Sequence, residues 1–174
     1  MAADETPTTV ARVERTFAFV DLSGFTSFTD ANGDGPAVGV LARFRADLRS
    51  VASHKGVRVA KWLGDGAMLV GVEVEDLVEA IIDIEHLIDV HQSPLPLRAG
   101  IASGKVILFE GDDYIGSAVN LASRLCDLAK PHEVLAPASL WSPLLVNTQA
   151  TPIGAHRVRG FADPLELVRL HLAA

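Results

Sequence analysis

Cysteine occurs once in 174 residues, at Cys126, so no intrachain disulfide framework and no multi-cysteine zinc site can be built. Positive charge is also scarce: 15 Lys and Arg stand against 22 Asp and Glu, a formal net charge of −7. No basic stripe gathers along any segment, which argues against neutralising a nucleic-acid backbone. No apolar run is long enough to span a bilayer, and "MAADETPTTVARVE" is too polar for a secretory leader. The expected compartment is the cytoplasm, with no membrane and no nucleic acid among the partners. Internal repeats and low-complexity stretches are missing as well. What remains is a chain 49% hydrophobic, enough for one core. We expect a tail at 1–13 and one domain at 14–174.

Hydrophobic periodicity sets the order of elements. "RTFAFVDL" is a β-prone run ending in Asp21–Leu22, and "SGFTSFTD" opens a helix with Ser23 as candidate cap. "NGDGP" reads as a turn, and the helical spacing that follows it stops at Gly56. "VRVAKW", "LGDG" and "AMLVGV" form a hairpin, and "VEVEDLVEAIIDIEHLIDVH" is an amphipathic helix. "LRAGIASGKVILFE" is a further strand, "GDD" a turn, and "DYIGSAVNLASRL" the front of another helix. The order β-α-β-β-α-β predicts an α+β, ferredoxin-like core with helices on one face of the sheet, extended by strands from the C-terminal segment.

Three groups of polar residues stand out. In the helix over 113–125, Ala118, Leu121, Ala122, Leu125, Leu128 and Ala129 make the core stripe, leaving Asn120 and Arg124 as neighbours on another face. That face is either a solvated one with an Arg124–Asp127 ion pair, or a pair suited to anionic phosphate. Asp21 and Asp65 both lie where side chains reach out of a sheet. Each has a plain alternative, helix-start acid for Asp21 and Asp-Gly turn chemistry for Asp65. Brought together they would suit Mg²⁺ or Mn²⁺, while the six histidines show no ligand-like pairing for zinc. Strict alternation puts Lys61 on the face of Val57 and Val59, an odd place for a lysine unless it snorkels from a sheet edge.

"FVDLSGFT" at 19–26, "KWLGD" at 61–65, "RAGIASGKV" at 98–106 and "DYIGSAVNLASRL" together resemble the class III nucleotidyl cyclase catalytic domain over about residues 14–171. The resemblance implies that Asp21, Asp65 and the Leu22 carbonyl bind two Mg²⁺ or Mn²⁺ ions. It makes Lys61 and Asp113 the adenine-selecting pair, and Asn120 and Arg124 the transition-state pair. Ser23, Gly24, Phe25 and Thr26 would receive phosphate oxygens at a helix start. The family's usual triphosphate lysine has no counterpart in "HRVRGFAD", where Arg157 and Arg159 stand near the place; Arg159 is the candidate.

The activity so implied is adenylate cyclase, turning ATP into 3′,5′-cyclic AMP and pyrophosphate. The enzyme would be a homodimer with sites at the subunit interface. Asp21, Lys61 and Asp65 of one subunit would face Asp113, Asn120 and Arg124 of the other. A catalytically silent nucleotide-binding or dimerisation module is the alternative, and a guanylate cyclase a further one. No GGDEF-type turn supports a diguanylate cyclase.

Overall fold

The computed structural model describes residues 10–110 and 113–174. The first nine residues of the expected tail, and residues 111 and 112 of the "GDD" turn, lie outside the described residues. Arg12 and Val13 already belong to β1 (Arg12–Leu22). There follow α1 (Phe25–Asn32), α2 (Asp34–Lys55), β2 (Arg58–Leu63), β3 (Gly66–Gly71) and α3 (Val74–Val90). The remainder is β4 (Leu97–Phe109), β5 (Asp113–Ile115), α4 (Ser117–Leu128), β6 (Val134–Pro137), β7 (Thr148–His156) and β8 (Leu165–Leu172), with one 3₁₀ turn at Ala138–Leu140.

The described residues form one eight-stranded sheet in the order β2-β3-β1-β4-β6-β8-β7, with β5 paired to the far end of β4. Its β2-β3-β1-β4 half is antiparallel, as the ferredoxin-like order requires. β6 joins β4 in parallel and carries the C-terminal β7–β8 hairpin outward.

Alternation along β1 divides the core in two. Ala18, Val20 and Leu22 meet Phe44 and Leu48 of α2 and Leu77, Ile81 and Ile84 of α3 on one face. Phe17 faces the other way, with Met68, Val70 and Ala102, against Ala118 and Ala122 of α4. Helices therefore cover both faces, where the sequence suggests one. Periodicity shows that α4 has an apolar stripe, not which layer it joins. Full burial of a Leu or Ile such as those of α3 contributes about 1.5–3 kcal/mol, and this layer fixes the sheet against which the polar residues are presented.

Two local readings change. Only Gly33, at φ 85°, breaks the chain between α1 and α2. Pro36 sits in the first turn of α2, where its missing N–H has no intrahelical partner to lose. In "DYIGSAVNLASRL" the first three residues are strand β5, and α4 begins at Ser117 after Gly116. Along α4, Leu128 is exposed and Cys126 takes the buried place expected of it.

Candidate active site

β1 delivers Asp21 to the end of the sheet, opposite Gly66 of β3 and Arg98 of β4. The β2–β3 turn brings up Asp65. Its Gly64 has φ 63°, a left-handed conformation that glycine adopts freely, and the Leu22 N–H donates to the Asp65 carbonyl at 3.1 Å. At Gly66 any Cβ would run into the Val20 carbonyl oxygen, so the hairpin can close onto β1 only with glycine there. Asp21 and Asp65 consequently line one cavity of about 380 Å³, together with residues 22–27 and Arg98.

The cavity gathers two carboxylates close enough to affect each other. The Asp65 carboxyl is pushed above its ordinary range, first by burial and then by the negative charge of Asp21. Two carboxylates and the backbone carbonyl at the strand end, Leu22, are hard oxygen donors of the kind that suits Mg²⁺ or Mn²⁺. Arg98, which sequence reasoning missed, donates to Asp21 Oδ2 from Nη2 at 2.8 Å and from Nε at 3.2 Å. It also reaches the Asp127 carbonyl from Nη1 at 3.3 Å. The signal in the sequence was only an arginine inside an apolar strand; its register with Asp21 on the neighbouring strand belongs to the assembled sheet.

Ser23 does not cap α1. Gly24, at φ 79°, is the cap residue without a side-chain bond, and the Ser23 hydroxyl oxygen is buried with no partner among the described residues. The left-handed turn at Gly24 starts α1 at the cavity wall, so the unpaired first-turn amides of Phe25 and Thr26 belong to residues that line it.

Lys61 is found away from the valine face. A β-bulge between Val59 and Lys61 shifts the alternation, so that Val59 and Trp62 pack on the α2–α3 side while Lys61 lies across from Met68 on the α4 side. There Lys61 Nζ donates to Asp113 Oδ1 at 2.8 Å, and Arg58 Nη2 donates to the Tyr114 hydroxyl at 2.9 Å. Both contacts lie within one chain. Lys61 thus lies beside Asp113 within the chain, whereas the resemblance groups it with Asp21 and Asp65.

Asn120 and Arg124 are exposed one turn apart on α4. No ion pair joins Arg124 to Asp127 among the described residues. Arg124 instead lines a cavity of about 350 Å³ with Asp127, Arg157 and Arg159. Among the described residues this cavity shares no lining residue with that of Asp21 and Asp65. Arg124 and the two aspartates thus line separate cavities of the single chain. Two histidines do find acidic neighbours: His91 Nδ1 lies 2.9 Å from Asp47 Oδ2, and His132 Nδ1 lies 3.5 Å from Glu85 and 3.7 Å from Asp89. The His132 cluster contains none of the predicted residues and lines neither cavity.

No protein-family model matches the chain. An uncharacterized protein of Mycobacterium tuberculosis is 36% identical over 163 residues, covering 94% of this chain and 43% of its own length. A pH-sensitive adenylate cyclase of the same species is 32% identical over 167 residues, covering 91% and 41% respectively. The chain thus spans about two fifths of the length of these curated relatives. Among solved structures, the adenylyl cyclase CyaB from P. aeruginosa superposes with a TM-score of 0.82 at 24% identity, over 95% of this chain and 97% of that one. The guanylate cyclase domain of RhGC from Catenaria anguillulae gives 0.81 at 19%, over 94% and 100%. The architecture is that of the nucleotidyl cyclase catalytic domains. With these sequence relationships beside it, the chain is a class III nucleotidyl cyclase domain. No helix among the described residues is long and apolar enough to cross a membrane.

Proposed function

We propose that this domain is an adenylate cyclase, forming 3′,5′-cyclic AMP and pyrophosphate from ATP in composite sites between two identical subunits. The observation that carries the choice of base is the Lys61–Asp113 pair at 2.8 Å. A donor and an acceptor held side by side match adenine, whose N1 accepts from Lys61 and whose N6 amine donates to Asp113. Guanine offers the reverse pattern and would leave both groups mispaired.

One subunit contributes Asp21, Asp65 and the Leu22 carbonyl to hold two Mg²⁺ or Mn²⁺ ions. When bound, these ions supply charge neutralisation along the triphosphate and acidify the ribose 3′-hydroxyl. The amides at the start of α1 receive phosphate oxygens. The other subunit contributes Lys61, Asp113, Asn120 and Arg124, a division supported by the Lys61–Asp113 contact and by the separation of the Arg124 cavity from that of Asp21 and Asp65. Asn120 orients the ribose so that its 3′-oxygen lies in line with the α-phosphorus. Arg124 offers a planar fork to the α-phosphate oxygens as the 3′-O–P bond forms and the bond to pyrophosphate breaks. The proton of the 3′-hydroxyl is lost to solvent. Arg159, with Arg157 beside it, neutralises the departing pyrophosphate. We take the catalytic unit to be residues 14–174.

Turnover by the purified chain with Mn²⁺, comparing ATP with GTP, tests this reading. Cyclic AMP from ATP and no product from GTP is expected. Nucleotide binding without product would assign the silent-module alternative, and a preference for GTP the guanylate cyclase.

A further inference from the structure

The same bulge that turns Lys61 away directs Trp62 of β2 toward α2. Arg45 and Arg49, one helical turn apart on α2, place their guanidinium carbons 4.8 Å and 4.9 Å from the centroid of the Trp62 ring. Both are cation–π contacts, yet the two arginines are not equivalent. Arg45 alone continues past the ring, and its Nη2 donates to the Gly64 carbonyl at 3.2 Å.

Gly64 immediately precedes Asp65 in the β2–β3 turn. That turn is thereby held from two sides, by α2 through Arg45 and by β1 through the Leu22 N–H on the Asp65 carbonyl. A further detail separates this contact from ordinary surface packing. Arg45 Nε is buried and has no acceptor among the described residues.

We propose that Arg45 is a positioning residue for Asp65: stacked on Trp62, it clamps the Gly64 carbonyl and so fixes the direction in which the Asp65 carboxylate faces Asp21. The proposal rests on the reading of Asp21 and Asp65 as metal ligands. Partners that orient a ligand without touching the metal commonly govern its affinity, because a loose ligand must be ordered each time the ion binds.

The test measures Mn²⁺ binding to the full chain from the electron paramagnetic resonance signal of free Mn²⁺, with amide hydrogen exchange at residues 64–66 as a readout independent of metal. Arg45→Ala is expected to weaken Mn²⁺ binding roughly tenfold and to speed exchange in the turn. In turnover it raises the Mn²⁺ concentration needed for half-maximal rate more than it lowers kcat. Arg45→Lys, which keeps the charge and some reach, recovers part of both losses, so a poorly folded alanine variant does not decide the matter. Arg49→Ala removes an equal share of the Trp62 stack and leaves Mn²⁺ binding unchanged. Equal losses in the Arg45 and Arg49 variants would reduce the contact to simple stacking and overturn the clamp. Unchanged exchange at 64–66 in Arg45→Ala would overturn it too. If Asp65→Ala leaves Mn²⁺ binding intact while Arg45→Ala still loosens the turn, the metal reading falls and the clamp stands.

Discussion

The side chains of Lys61 and Asp113 are 50% and 53% exposed, and an ion pair so placed contributes only about 0–1 kcal/mol to stability. Such a pair opens readily, as the proposed base-reading role would require of it. Lys61→Glu should therefore leave the melting temperature nearly unchanged. It should lower kcat/KM for ATP roughly 10- to 100-fold, since one or two buried hydrogen bonds to adenine are mispaired; an unaltered ATP rate would remove the base-reading role. Asp21→Ala and Asp65→Ala should each keep the circular dichroism of the parent and yield no cyclic product. Normal turnover in either would end the two-carboxylate reading. Cys126 illustrates the opposite environment. Burial first, then the charge of Asp21, pushes its thiol up to about 12 from an ordinary value of 9.0. Because the folded value lies above the unfolded one, its contribution to stability is complete below pH 9.0 and is withdrawn as the pH rises toward 12. At pH 8, a thiol reagent should label Cys126 only as fast as the protein opens; rapid labelling of the native state would contradict the buried placement.

Between α4 and β4 the contact is so close that Gly100 has no room for a side chain. A Cβ there would overlap the Cys126 amide nitrogen and the Ala122 carbonyl oxygen, both backbone atoms of α4. Gly100→Ala should force helix and strand apart and destabilise the fold by about 3 kcal/mol, measurable as a lower urea midpoint. A neutral outcome would mean that α4 slides freely on the sheet. This element shows how much could be read in advance. Its stripe of Ala118, Ala122 and Leu125 was plain from spacing, and so was the exposure of Asn120 and Arg124 on another face. Its register along β4 was not, because that register depends on which residues of another element lack a Cβ. The bulge at Lys61 was hidden for a related reason. An extra residue in one strand is defined only against its partner strand, and a single run of sequence contains no partner. Most strands and helices and their order were legible because each rests on local periodicity; β5, too short to show a period, and the pairing of Lys61 with Asp113 and of Arg98 with Asp21 needed the assembled sheet.

For the molecule as a whole, the test of the composite site is complementation. Asp21→Ala and Arg124→Ala homodimers should each be nearly inactive, since every site in them lacks one part. Co-refolded mixtures should regain activity in proportion to the heterodimer formed, because one interface site collects both lesions and the other neither. Negligible activity from a mixture shown by mass measurement to contain heterodimers would place the whole site within one chain. The position of Lys61 beside Asp113 on the same chain carries this further, into heredity. If base reading belongs entirely to one subunit and metal holding to the other, a mixed dimer of this chain with a GTP-reading relative would not blend the two preferences. It would carry one site of each kind, side by side, and a lineage could change its nucleotide by altering a single gene copy while leaving the metal-holding half of the partner untouched.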